Sequence, residues 1–310
     1  MTPNRSPGYA KSGLSKLRGL SLIRLLSIFT LLACLLAVPG VAQAKETLIW
    51  LLRDLPPLTI FEGPQKGRGA IDQLIPLLIA SMPEYEHQIV RVNRARGMQM
   101  LLAPSFTCDP SLIWNKERAQ RIVYSITSLR IMSNGLAVRL QDRAALAPFM
   151  VDGQVDLGSL LAASGKKLGV VAERSYGQPV DGLLHQAAAE VLAAHYGNDA
   201  LGSLLQMQRL GRLSALLGYW PEIRYQAQQQ GISPTELAFY PIKDTEKYQS
   251  IHVGCSDTAQ GHQAITRINK ALGGLRQDTL SGFYAAWLDP EMRRDYLADA
   301  KAFFQGPPQE

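Results

Sequence analysis

Beyond residue 45 the chain alternates short apolar runs with stretches in which apolar residues recur every three or four positions. Glu46-Thr-Leu-Ile-Trp-Leu-Leu52 is a near-continuous apolar run, the pattern of a strand buried on both faces. Asp54-Leu-Pro-Pro-Leu58 ends it, because proline has no N–H to give a ladder. Ile71, Leu74, Ile75, Leu78 and Ile79 share one face of a helix, which Pro76 is expected to disturb. The pattern continues with a strand over 87–92 and a short helix over 93–102 with Asn93 as its N-cap. An extended segment at 107–113, a polar turn at 116–121 and a strand at 135–139 follow. A second stretch predicts a short helix at 157–163, a strand at 167–171, the loop Glu173-Arg-Ser-Tyr-Gly177 and a helix over 180–196. Residues 203–210 read as either strand or helix, and 219–229 as helix. Strands at 237–240 and 251–255 and helices over 262–275, 279–287 and 291–304 complete the chain. This alternation predicts an α/β fold with largely parallel sheets.

The first 44 residues follow another pattern. Lys11, Lys16, Arg18 and Arg24 lead into an apolar run from Leu25 to Val38, and Ala42-Gln43-Ala44 supplies the small-x-small step cut by a signal peptidase. The run is shorter than the roughly 20 residues of a spanning helix. A cleavable signal peptide over 1–44 and a periplasmic location are expected. Lipid anchoring at Cys34, in Leu31-Leu32-Ala33-Cys34, is the alternative, although Leu35 to Val38 continue the apolar run where a polar tether belongs.

This leader also explains the charge. Residues 1–44 hold five of the 32 basic residues and no acid, so 27 basic residues remain against 26 acidic ones, and the formal +6 of the full chain falls to +1. Nucleic acid is therefore not an expected partner. The remaining 266 residues suffice for one large domain or two lobes. Beyond the leader there are two cysteines, Cys108 and Cys255, and in an oxidising compartment one bridge is more natural than two free thiols. A link spanning 147 residues would contribute about 4–5 kcal/mol in the loop-entropy picture. Neither cysteine has a CxxC partner or a histidine at ligand spacing, so no metal is expected. No motif calls for a cofactor.

Taken in order, four features resemble the type 2 periplasmic solute-binding proteins, specifically the amino-acid-binding branch, family 3, and a group of exported proteins like it. They are the Pro-rich turn Asp54-Leu-Pro-Pro-Leu58; the Gly-x-Gly loop Gly67-Arg-Gly-Ala-Ile-Asp72; Trp114-Asn-Lys-Glu-Arg118 followed by Tyr124-Ser125; and Leu168-Gly-Val-Val-Ala-Glu-Arg-Ser-Tyr-Gly177. The resemblance spans nearly all of 46–300. It implies a two-lobed fold with hinge strands and a ligand cleft, with lobe 1 formed by 45–138 and 245–310 and lobe 2 by 139–244. Both cysteines then fall in lobe 1, near the chain crossover.

The resemblance also assigns residues. Arg118 stands where relatives hold a ligand carboxylate, for which a guanidinium is a planar, permanently charged fork. Ser175 and Tyr176 stand where a lobe 2 loop offers a hydroxyl and backbone N–H groups to the same carboxylate, with Arg174 as a second cation. Trp114 and Trp220 are the candidate cleft aromatics, Trp50 reading as core. Amino-acid binders place an Asp near Tyr219-Trp220 for the ligand ammonium; here the acid is Glu222, displaced along the chain, so either Glu222 substitutes or the ligand lacks that ammonium. Asp54 and Asp72 read as a turn residue and a cap, and Arg91, Arg94 and Arg96 as a solvated helix face.

Three function classes follow. The first is a monomeric receptor that closes on a small carboxylate-bearing solute, an amino acid or related organic acid, and serves an inner-membrane ABC permease or a membrane sensor. The second is an exported enzyme of the same fold, such as a dehydratase of a cyclic carboxylic acid, with Glu173 or Glu222 as its acid. The third is a ligandless scaffold. The chain has no Gly-x-Ser-x-Gly and no His-Glu-x-x-His, so no catalytic residue is assigned and an enzyme is not the leading expectation.

Overall fold

The computed structural model describes Met1 and residues 44–163, 165, 167–197, 199–275 and 279–306. The expected leader, with Cys34 and most of the cleavage step, lies outside the described residues. Residues 45–310 form one compact unit. Among the described residues no helix is long and apolar enough to cross a membrane.

The elements run β1 (Thr47–Leu52), α1 (Ala70–Ala80), β2 (Glu86–Arg91), α2 (Arg94–Leu101), β3 (Thr107–Ile113), a 3-10 turn (Arg118–Gln120), β4 (Ile122–Tyr124), β5 (Leu129–Met132) and β6 (Asn134–Arg139). A long 3-10 stretch (Leu140–Phe149) leads to the small hairpin β7 (Met150–Val151) and β8 (Gln154–Val155), then α3 (Leu157–Ala162), β9 (Leu168–Val171) and α4 (Val180–Gln186). Next come β10 (Leu192–His195), α5 (Ala200–Arg209), β11 (Ala215–Tyr219), α6 (Trp220–Gln229), β12 (Leu237–Pro241), β13 (Tyr248–Ser256), α7 (Ala259–Leu275), α8 (Ser281–Ala285) and α9 (Pro290–Gln305).

They build two main sheets. The first has the order β2-β1-β3-β13-β4, with β5 also paired to β13; the second is β10-β9-β11-β6-β12. Alternation along β1 explains how one strand serves two layers. Leu48, Trp50 and Leu52 enter the large core under α1, α7 and α9, while Leu51 joins Leu101, Leu112 and Ile122 on the other face. In the second sheet, Leu136 and Val138 of β6 face one core and Ala137 the other. The chain crosses between the sheets at two adjacent places: Met132 pairs with Tyr248 at the end of β5, and Gly135 pairs with Pro241 at the start of β6.

Several expectations need correction. The sheets are mixed, not largely parallel: β13 runs antiparallel to β3, β4 and β5, and β6 antiparallel to β11 and β12. The helix expected over 180–196 stops at Gln186, and Leu192–His195 instead pairs parallel with β9. Ala and Leu give that segment high helix propensity, but a vacant sheet edge overrides a preference worth a few tenths of a kcal/mol per residue. The ambiguous 203–210 segment belongs to α5, whose Leu201, Leu204, Leu205 and Gln208 are buried at helical spacing. Pro76 sits inside α1 without ending it. Cys108 and Cys255 are disulfide-bonded and stand directly opposite each other on β3 and β13.

Candidate functional site: a cleft lined by guanidinium groups

A cavity of about 50 Å³ lies between the two sheets, and a neighbouring one of about 150 Å³ shares Arg94, Arg174 and Glu222 with it. One wall is the loop Leu55–Leu58. This loop is held because Pro57 and Leu58 carbonyls accept from the first N–H groups of α1, at Ala70 and Ile71. Gly69 makes that approach close enough: a Cβ there would lie 2.2 Å from the Leu58 carbonyl oxygen. The Asp72 carboxylate accepts from Gly69 N and Ile60 N, and the Asp54 carboxylate accepts from Phe61 N, so both acids are tied to turns as expected.

Four arginines define the electrostatics. Arg53, at the end of β1, is buried and donates to the Asp109 carboxylate at 2.5 Å and to Ser111 Oγ at 2.7 Å. This pair forms a neutral base beneath the cleft. Arg174, in the loop after β9, donates through both terminal nitrogens to both oxygens of Glu222, at 2.8 and 2.7 Å. The two side chains are only 5% and 7% exposed. Burial would lower the Arg174 pKa, but the Glu222 charge and its hydrogen bonds outweigh it and the pKa is raised. The rings of Tyr176 and Tyr219 lie 5.9 and 5.7 Å from the Arg174 guanidinium.

Arg94 is the first residue of α2, after the Asn93 cap, whose side chain accepts from Arg96 N. Its guanidinium lines both cavities. Burial, then repulsion from Arg53 and Arg174, pushes its pKa down to about 9 despite the opposing pull of Glu222, so it is still charged at neutral pH. Arg118 opens its 3-10 turn, held by Asn115 Oδ1, which accepts from Glu117 N and Arg118 N. It is half-buried and faces the same cavity. Among the described residues, no carboxylate is ion-paired with Arg94 or Arg118. Near Arg118 the Tyr124 hydroxyl is buried without a hydrogen-bond partner among the described residues; burial pushes its pKa up to about 12, against the Arg118 charge.

The expected residues therefore divide. Arg118, Arg174, Ser175 and Glu222 come together at the cavity. Ser175 and its loop are not free donors, however: the Ser175 hydroxyl and Tyr176 N both donate to the Asp181 carboxylate, and Gly177 N donates to Ser175 Oγ at 3.3 Å. The Tyr176 side chain is core, its hydroxyl accepting from Val171 N. Glu222 is committed to Arg174. Trp114 is 52% exposed and lines a separate outer groove. Trp220 starts α6 instead of occupying a crossover loop and stacks on Phe239, its ring 5.3 Å away. Arg94, assigned in sequence to a solvated face, turns into the cleft, whereas Arg96 stays exposed and bonds Gln99. Arg53 and Asp109 were also missed. The signals available were an acid inside the extended segment 107–113, which demands a partner if that segment is buried, and a cation at the wrong end of a helix dipole at Arg94.

No protein-family model matches the chain, and no curated protein sequence is similar to it. Solved structures are similar in fold. An ancestral arginine-binding protein bound to arginine is 15% identical, with a TM-score of 0.59, over 80% of this chain and 100% of its own. A histidine kinase sensor domain similar to periplasmic binding proteins is 14% identical, with a TM-score of 0.62, over 79% of this chain and 97% of its own. An amino acid ABC transporter substrate-binding protein from Streptococcus pneumoniae, bound to L-arginine, is 14% identical, with a TM-score of 0.57, over 86% of this chain and 98% of its own. With its two mixed sheets, paired crossings and intervening cleft, the chain has the two-lobed fold of the type 2 periplasmic binding proteins.

Proposed function

We propose that the protein is an exported solute-binding receptor whose two lobes close on a small carboxylate-bearing ligand. Lobe 1 comprises 45–138 and 245–310, lobe 2 comprises 139–244, and residues 1–44 are a signal peptide that delivers the protein to the periplasm. The observation that carries the reading is the position of Arg118: a half-buried guanidinium with no ion-paired carboxylate among the described residues, facing an interlobe cavity. Such a group can bind a carboxylate through two parallel hydrogen bonds. Ligand bound between lobes favours the closed state and shifts the open–closed population. The loaded receptor would serve an ABC permease or a membrane sensor, the two roles represented among proteins of similar fold.

The enzyme reading receives less support. It needs a carboxyl group poised to exchange a proton in the cleft. Glu173 is exposed, and Glu222 spends both oxygens on Arg174.

The test is a thermal-shift screen of residues 45–310 against amino acids, organic acids and cyclic acids, run beside Arg118→Ala. A ligand at 100 times its Kd should stabilise the protein by about 2.7 kcal/mol. The expected result is a raised Tm with one class of carboxylate, lost in Arg118→Ala, and no turnover. A flat screen, or a shift unchanged in the variant, overturns the reading.

A further inference from the structure

We infer that the ligand is a compact organic dianion, carrying two acidic groups and no ammonium, with one acid at Arg118 and the second at Arg94. This rests on the receptor reading above and names the ligand class of the same cleft.

The cavity wall carries three guanidinium groups, from Arg94, Arg118 and Arg174, against one carboxylate, Glu222, leaving two positive charges in excess. The adjoining Arg53–Asp109 pair adds none. The Glu222 charge is already balanced by Arg174 in a buried bidentate pair, so a ligand ammonium there would meet a neutral pair instead of a free carboxylate. In the cavity that Arg118 faces, a zwitterionic amino acid would thus bring a positive charge where the one acid is already paired, the other acids, Asp54 and Glu173, lining the neighbouring cavity.

Arg94 is the residue that points to a second acid group. It is half-buried beside two other cations, and it opens α2, where the helix dipole is already positive. Burial, two neighbouring guanidinium groups and the helix dipole disfavour a cation there and outweigh the pull of Glu222. Such a violation is expected where function requires it, and an anion in the cavity relieves all of these terms together. Arg118 and Arg94 come from opposite ends of β3, one from the turn that follows the strand and one from the helix before it. Engaging both guanidinium forks through two parallel hydrogen bonds each takes two acidic groups, because one carboxylate has only two oxygens. The small cavity volumes favour a short carbon frame. Carboxylate and phosphoryl groups share the required geometry, since each accepts two hydrogen bonds from a guanidinium.

The experiment measures Kd by calorimetry for the chain from Lys45, using succinate and glutarate, the monoacid butyrate, the zwitterions aspartate and glutamate, and phosphoglycolate as the phosphoryl analogue. The same series is run on Arg94→Gln and on Arg96→Gln, an exposed neighbour. The expected result is a dianion binding tighter than butyrate, and tighter than its amino-bearing counterpart, by on the order of tenfold or more. Arg94→Gln should remove that advantage while leaving weak monoacid binding and the melting curve intact. Arg96→Gln should change neither. Whether a dicarboxylate or phosphoglycolate wins identifies the second acid group. Preference for a zwitterion, or a dianion preference that survives Arg94→Gln, overturns this inference and leaves the receptor reading standing. Failure of every acid to bind overturns both.

Discussion

Glu222 and Arg174 illustrate how much a single buried charge depends on its partner. With both side chains almost fully removed from solvent, replacing the acid leaves a buried guanidinium without the carboxylate that balances its charge. Glu222→Gln should therefore destabilise the protein by about 3 kcal/mol, read as a Tm lowered by roughly 10 °C. An unchanged melting curve would show that the pair opens to solvent at little cost. Arg118→Ala should barely move the melting curve of the unliganded protein, since among the described residues Arg118 has no ion-paired acid to abandon. At this scale the sequence was legible only in part. Arg118, Arg174 and Glu222 can be placed near a cleft by the resemblance, not by the residue pattern alone. Arg94 cannot, because Arg91, Arg94 and Arg96 form one basic run, and only the packed helix decides which of the three turns inward. Trp114 and Trp220 mislead for the converse reason: an aromatic side chain serves a core, a groove or a ligand equally well.

The elements with enough residues to display a period were readable, and the short ones were not. The helices at 70–80, 259–275 and 290–305 carry apolar stripes over three or more turns. In contrast, β4, β5 and β10 have three or four residues each, too few to separate a period of two from one of 3.6. Strand direction is equally hidden, because β13 runs antiparallel only as a consequence of the chain's return from the second sheet. Where elements meet, glycine separates tolerance from exclusion. Gly69→Ala would drive a Cβ to 2.2 Å from a backbone oxygen that cannot swing aside, displacing the Leu55–Leu58 wall. It should cost about 1–3 kcal/mol and weaken ligand binding, both read in one titration calorimetry and melting series. Gly273→Ala, on an exposed turn of α7 with nothing within 4 Å, should instead stabilise by about 0.5–1 kcal/mol. Equal effects at the two positions would contradict this account of the wall.

Across the whole molecule, the two crossings are braced by one side chain. Gln249 donates to the Tyr176 carbonyl and accepts from the Tyr219 hydroxyl, tying the second sheet's loops to the return strand β13. Asn134, at the start of β6, donates to the same Tyr176 carbonyl, so both crossings meet the loop after β9. The bridge between Cys108 and Cys255 lies just beyond, on the first sheet, with both sulfurs in the core. The paired Ser variant of both cysteines should lose about 4–5 kcal/mol, measured by denaturant titration. The same bond has a further consequence. Every residue from 109 to 254, including the entire second sheet, belongs to a covalently closed ring. A protease that nicks an exposed bend inside that ring, such as the one at Gly153, severs the backbone without releasing a fragment. The nicked molecule should migrate as a single species on a non-reducing gel and separate into two bands only with reductant, whereas a cut outside the ring should shed its piece at once. A chain closed in this way can be cut within its second sheet and still keep both pieces together.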